Sequence, residues 1–321
     1  MDLIYTNANR VDVGVLSAYS FDLSFGATEN DFEMTLGADE PMLEYGAMIY
    51  IEGTEHGGIV DAMKVSTDGE SIKYTGRTWH GMLNSKVIQP DTGADYLVVS
   101  GDANSILADL VERLNLTGLF IADETASEVT INNYKFHRYC LGYDGIRDML
   151  SDNGAKLKIV WKDRAIHLSA EEVVDYTEAP VDGDLATLTV EQHGKKVNHL
   201  ICLGRGDLAA REVVHLYIDQ FGRVVDAPYY IGVDDITAVY DYSNAESSEA
   251  LRTEGVKQLA ELRNVDKAEI SVPENLEFTY DIGDIVGAAD VKTGITVAAA
   301  VTQKIVRIDN GAISTEYKTG G

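Results

Sequence analysis

The sequence is short of cysteine, of positive charge and of long apolar runs. Two cysteines occur in 321 residues, Cys140 and Cys202, each in an apolar or aromatic setting. So few exclude a disulfide framework; the two could pair, but in a chain this long they fit better as two buried thiols in a reducing compartment. Lys and Arg number 26 against 53 Asp and Glu, for a net charge of -27. Binding a phosphate backbone rests on Lys and Arg releasing counterions, so tight nucleic-acid binding is not expected. The same charge opposes docking on anionic membrane surfaces. The nearest approach to an apolar span is Gly294 to Val301, ended by Gln303 and Lys304, so no membrane insertion is expected either. The start, Met1-Asp2-Leu3-Ile4-Tyr5-Thr6, has neither the basic residues nor the apolar run of a signal peptide, which predicts assembly in the cytoplasm.

What is present is the composition of a folded protein, 45% hydrophobic and 25% charged, at a length that predicts two or more packed units. Phe21, Leu23 and Phe25 alternate with Asp22 and Ser24, and Phe32, Met34 and Leu36 with Glu33 and Thr35, the period of half-buried strands. Met48, Tyr50 and Glu52 sit in a further strand, followed by Gly53 and a turn at His56-Gly57-Gly58. Asp68-Gly69 predicts a hairpin between residues 62–66 and 71–76. The period then changes. Asp102 is placed to cap a helix running to Leu114, with Ile106, Leu107, Leu110 and Leu114 on one stripe. A strand near Ser127 to Ile131 follows, and Asp144 is placed to cap a second helix that Asn153-Gly154 closes. Residues 156–161 and 165–168 form a hairpin across Lys162-Asp163-Arg164. Strands return over 187–190, 197–203 and 212–218, a third helix runs from Ser247 to about Leu262, and a hairpin through Asp309-Asn310-Gly311 ends the pattern. The fold class read from this order is α+β, mainly β.

Chemistry-bearing motifs are sparse. His193, His199 and His215 lie close in sequence, but their spacing matches neither the helical pair of metalloproteases nor a zinc ribbon, so structural histidines and no metal are expected. Asp281 and Asp284 stand three apart, as some acid–base pairs do; Gly283 between them predicts a tight bend, and turn formation is the simpler reading. Gly204-Arg205-Gly206 resembles the start of a phosphate loop without its later glycine and lysine. No nucleophile elbow or Cys-x-x-Cys appears, so no catalytic residue and no cofactor are expected. Gly76, Gly81, Gly204, Gly283 and Gly311 are read as turn glycines, with Pro273 flanking a strand that leads to the Asp281 turn. Seventeen tyrosines outnumber the seven phenylalanines and two tryptophans combined, which suits protein contacts or stacking on sugars.

Four strings together carry a family resemblance. They are Tyr74-Thr75-Gly76-Arg77-Thr78-Trp79-His80-Gly81-Met82-Leu83-Asn84-Ser85-Lys86-Val87-Ile88; Val197-Asn198-His199-Leu200-Ile201-Cys202-Leu203-Gly204 with Arg211 and Leu216-Tyr217-Ile218-Asp219-Gln220-Phe221-Gly222; Tyr280-Asp281-Ile282-Gly283-Asp284-Ile285-Val286 with Thr302-Gln303-Lys304-Ile305-Val306; and Gly311-Ala312-Ile313-Ser314-Thr315-Glu316-Tyr317-Lys318. In this order the chain resembles the tail-hub proteins of siphophages and prophages, which are similar to contractile-tail baseplate hubs and late-control proteins. The resemblance implies two tail-tube-like β-barrel domains, over 1–90 and 184–321, around an inserted α+β domain over 91–183. It implies a homotrimeric ring in the virion tail, with distal tail, tail-tube, and tip or fibre proteins as partners, and no catalytic residues. Some relatives carry a peptidoglycan hydrolase after the hub, and none is expected before Gly321. The acidic surplus fits a bore through which DNA passes without sticking. A carbohydrate- or receptor-binding tail accessory is the alternative, favoured if Trp79 or Trp161 is exposed beside tyrosines. A tail-associated peptidase or glycosidase would need a carboxylate pair or a His-paired nucleophile at a telling spacing.

Overall fold

Side chains two residues apart on a strand share a face, so the alternation around Phe21 and Phe32 dictates a sheet with one apolar side. The computed structural model describes residues 2–37, 39–65, 71–178, 187–272, 279–290 and 295–319. It begins with β1 (Leu3–Thr6), β2 (Asp12–Leu16), β3 (Tyr19–Gly26), β4 (Asp31–Gly37), β5 (Met48–Tyr50), β6 (Gly57–Val65) and β7 (Ser71–Thr78). Next come α1 (Trp79–Asn84), β8 (Val87–Ile88), β9 (Val98–Asp102), α2 (Ala103–Arg113), β10 (Phe120–Ala122), β11 (Thr130–Lys135), β12 (Cys140–Leu141), α3 (Gly142–Ser151), β13 (Ala155–Lys162) and β14 (Ala165–Glu172). The rest comprises β15 (Thr187–Glu191), β16 (His199–Leu203), β17 (Val213–Ile218), β18 (Val224–Val225), β19 (Thr237–Asp241), α4 (Ser248–Arg263), β20 (Lys267–Val272), β21 (Ile285–Asp290), β22 (Ile295–Asp309) and β23 (Ala312–Thr319). The protein is mainly β, in several sheets, and among the described residues none closes as a barrel.

The chain divides into two compact units, Met1–Thr189 with Glu269–Thr319, and Val190–Ala268. In the larger unit the main sheet runs β20-β23-β22-β3-β4-β7-β6-β5-β1-β2. Its central ladder joins distant parts of the sequence: β22 pairs antiparallel with β3, Val306 opposite Leu23 and Ile308 opposite Phe21. Leu3, Phe21, Leu23, Phe25, Met34, Leu36, Tyr74, Val306 and Ile308 are buried in one cluster. At about 25 cal/mol per Å² of apolar surface removed from water, this shared face is what holds the first and last segments together. The hairpin predicted at Asp68-Gly69 lies outside the described residues, as does Pro273, but β6 and β7 on either side of the former pair in register, Val65 opposite Ile72. The predicted turn at His56-Gly57-Gly58 falls earlier, at residues 52–55. Gly57 already belongs to β6, where a Cβ would lie 2.4 Å from the Trp79 ring.

A second cluster in the same unit gathers Trp79, Leu83, Leu107, Leu110, Ile131, Phe136, Ile146, Met149, Leu150, Ile159, Trp161 and Leu168 from α1–α3 and the β13–β14 hairpin. Asp102 caps α2 as its sequence position predicts: Oδ1 accepts from the amides of Asn104 (3.0 Å) and Ser105 (3.2 Å), and Oδ2 from Ser127. Asp144 does not cap α3. Leu141 occupies the cap position, Asp144 sits in the first turn, and its amide donates instead to Asn84 Oδ1 at 3.2 Å, so the cap comes from the end of α1. The β13–β14 turn places Asp163 and Arg164 at positive φ, the geometry of a two-residue hairpin.

In the smaller unit the sheet order is β18-β17-β16-β19, with β16 and β19 parallel. Ser247 caps α4 through the Ala250 amide at 3.1 Å. Leu251 and Leu259 from that helix pack with Leu200, Cys202, Leu216 and Ile218. Cys202 is buried, Cys140 half-buried, and both are free thiols.

Of the glycines singled out from the sequence, Gly283 (φ +101°) and Gly311 (φ +91°) lie in turns, and Gly204 follows β16. Gly76 and Gly81 hold no turn. Gly76 is inside β7, where a Cβ would stand 1.9 Å from the Ile59 carbonyl oxygen; Gly81 is inside α1, where a Cβ would stand 2.0 Å from that of Asn30. Both are needed for close backbone approach rather than for backbone dihedrals. Gly76→Ala is therefore expected to lower stability by about 1–3 kcal/mol or to block folding. Gly37→Ala, with open space around its Cβ, should leave the urea midpoint within experimental error of wild type.

Candidate functional site

Ionisable side chains are driven to the surface unless paired, so buried ones mark the places where the fold commits polar groups. Two such places lie in the larger unit. At the first, Lys304 of β22, 5% exposed, donates to Glu55 from the turn between β5 and β6. His80 of α1, 3% exposed, sets Nε2 4.0 Å from Glu55 and stacks flat on Phe25 at 4.5 Å. The Phe25 and Tyr317 rings lie 5.9 and 5.7 Å from the Lys304 ammonium. Burial by itself would raise the Glu55 carboxyl, but Lys304, His80 and His56 outweigh it and hold it below the ordinary carboxylate range. Burial would lower Lys304, and Glu55 reverses that, so its ammonium is held well above the usual lysine range. Burial pushes His80 and His56 down to about 4, leaving both imidazoles neutral at pH 7.

At the second place Lys156 of β13 reaches Asp284 at 2.7 and 2.9 Å and Asp281 at 3.0 Å, and Lys158 reaches Asp281 at 2.8 and 3.0 Å. The positive φ of Gly283 turns the chain so that both carboxylates converge. Asp284 also accepts from the amides of Val174 (2.9 Å) and Asp281 (2.8 Å). Burial works to raise Asp281, and the two lysines overcome it. The sequence-flagged carboxylate pair thus comes together on two ammonium groups and two amides. Among the described residues, the partners of these carboxylates are ammonium and amide groups, the surroundings of a structural pair. The arrangement locks the β13 strand to the turn ahead of β21.

The histidines noted in the sequence lie in the smaller unit. His199 Nε2 and His215 Nδ1 are 2.9 Å apart, Tyr217 stacks on His199 at 4.3 Å, and His193 faces Glu191 at 3.4 Å. Among the described residues no three or more His, Cys, Asp or Glu are grouped to hold a metal ion. A hollow of about 400 Å³ is lined by His193, Lys195, Lys196, Tyr230 and Arg263. Its lysines are already paired, Lys195 with Asp234 at 2.9 Å and Lys196 with Asp266 at 2.6 Å.

The surface offers more than the interior. The terminal strand β2 carries Val11 beside it and Val13 and Val15 within it, each more than half exposed, with a bulge in its pairing to β1 between Tyr5 and Thr6. In the smaller unit Phe221, Ile231 and Val233 are 71%, 78% and 89% exposed. Trp79 and Trp161 are both buried, stacked 5.2 Å apart, so neither presents a platform for a sugar.

No protein-family model matches the sequence, and no curated protein does. Solved structures do match along the whole chain. A tail protein from Neisseria meningitidis MC58 is similar with a TM-score of 0.60 and 14% identity, covering 100% of this chain and 96% of that one. The prophage tail protein gp18 from Listeria monocytogenes EGD-e gives 0.56 and 14%, over 99% and 94%. The 43 kDa tail protein of prophage MuSo2 from Shewanella oneidensis gives 0.62 and 12%, over 99% and 98%. The chain has the fold of phage and prophage tail proteins.

Two measurements probe the buried charges. The unfolded state takes up protons on His56 and His80 near pH 6.5 and the folded state only near pH 4, so stability falls as pH drops through that window. Each histidine contributes about 3 kcal/mol at most to the loss. Urea unfolding at pH 7 and pH 5 should show the decline, and His80→Phe should flatten it. Lys304→Met leaves Glu55 buried without its ammonium and is expected to cost about 3–5 kcal/mol; adding Glu55→Gln should recover part of that in a double-mutant cycle.

Proposed function

We propose that the protein is a structural component of a phage or prophage tail tip, acting as a trimeric hub ring that joins the tail tube to the host-facing tip. The observation that carries this reading is the whole-length agreement of the fold with three tail proteins. Within it, segments 1–90 and 184–321 both give strands to one open sheet, β3 pairing with β22, whose free edge would complete itself against a neighbouring copy, and 91–183 is the inserted α+β segment. Exposed valines along β2 supply a strand with apolar side chains and unpaired backbone for such a contact. Partners are further copies of the chain, distal tail and tail-tube proteins, and tip or fibre proteins. The net charge of -27 suits a ring whose bore DNA must traverse without binding. Burial of both tryptophans counts against the carbohydrate-binding alternative.

Light scattering across a concentration series tests the ring. A mass near three times the 35.0 kDa chain is expected at high concentration. Val13→Lys, which sets a charge on an exposed position of β2, should shift the equilibrium towards monomer without lowering the melting temperature. A monomer that also fails to join purified tail tubes would overturn the proposal.

A further inference from the structure

The paired histidines of the smaller unit have no part in the tail-hub reading, and they are better arranged than a chance surface pair. His199 projects from β16 and His215 from β17 on the same face, two register positions apart, since His199 faces Tyr217 and Ile201 faces His215. Their nitrogens meet at 2.9 Å, so one imidazole offers its lone pair to the other's N–H. The far side of His199 fixes which is which. Its Nδ1 lies 3.1 Å from Thr237 Oγ1 and 3.4 Å from the Asp235 carboxylate. A carboxylate there favours the proton on Nδ1, which leaves the Nε2 lone pair directed at His215. Tyr217, stacked on His199 at 4.3 Å, keeps that ring in place, while His215 is exposed.

We propose that His199 Nε2 and His215 Nδ1 form a binding site for a borderline divalent transition metal of the Cu²⁺, Ni²⁺ or Zn²⁺ class. A neutral imidazole is the preferred protein ligand of these ions, and a carboxylate on the second nitrogen is the arrangement that orients a ligating histidine. On binding, the His215 proton moves from Nδ1 to Nε2, a tautomer shift with no net proton released. The ring then rotates so that both lone pairs converge on one ion, with metal–nitrogen bonds of about 2.0–2.1 Å. Water fills the remaining positions. The role of Asp235 and Thr237 is to position His199, not to ligate.

Calorimetric titration of the untagged full chain with Ni²⁺ and with Cu²⁺ at pH 7.5 tests the site. One saturable equivalent is expected, with the Cu²⁺ form showing nitrogen coordination by electron paramagnetic resonance. His199→Gln and His215→Gln, which keep a hydrogen-bonding side chain, should each weaken binding at least tenfold while circular dichroism stays unchanged. Asp235→Asn should weaken it less, and His193→Ala not at all. Absence of a saturable equivalent, or affinity unmoved by both glutamine variants, would overturn the assignment. Neither result bears on trimer formation, which is read separately by mass.

Discussion

The larger unit depends on one buried ion pair, Lys304 with Glu55. Lys304 comes from the penultimate strand, Glu55 from a turn in the first quarter of the chain, and His80 beside them opens the helix that starts the second core. Removing two charges from water is costly, and only close pairing with surrounding hydrogen bonds and ring faces offsets it. The pair therefore does little for net stability and much for uniqueness. A register in which β22 slipped by one residue against β3 would turn Lys304 away from Glu55 and expose Val306 and Ile308. The glycine contacts say the same in steric terms. Gly57, Gly76 and Gly81 let the Ile59 and Asn30 carbonyls and the Trp79 ring come nearer than any side chain allows.

Lys156 with Asp281 and Asp284 repeats the device at the other core. Here two carboxylates share two ammonium groups, so charge balances locally in a chain whose surplus is strongly negative. Among the described residues, most other acidic side chains are exposed, where like charges repel one another and any passing polyanion. Interior and exterior thus obey opposite electrostatic rules: neutrality within, unbalanced charge without.

Much of this was legible in the sequence wherever a local rule governs. The alternation at Phe21 and Phe32, the cap at Asp102, the cap at Ser247 and the turn at Asn310-Gly311 all follow from residues within a few positions of one another. Asp144 misleads because Asn84, sixty residues earlier, takes its amide. Gly76 and Gly81 mislead because a glycine needed for a close neighbour looks in sequence like one needed for a turn. The Lys304–Glu55 pair carries no spacing signal, although one clue was present. Lys304 stands two and four residues before Val306 and Ile308, so it occupies an inward position of an apolar alternation, where a lysine must find an anion. The carboxylate pair at 281 and 284 was visible, and its lysine partners were not, for they arrive from a hairpin over a hundred residues away.

The ladder between β3 and β22 also sets a timetable. Its paired residues lie up to 289 positions apart, Ser20 opposite Asp309, so the third strand made by the ribosome waits for nearly the last before its neighbour exists. At roughly 5–20 residues per second that wait is on the order of 15–60 s, during which the apolar face of β3 and β4 has no lid from the C-terminal strands. The smaller unit, continuous in sequence, is free to close first. A nascent chain of this kind emerges with its middle finished and its two ends still searching for each other, which makes it a natural client for cellular holding factors until synthesis is complete.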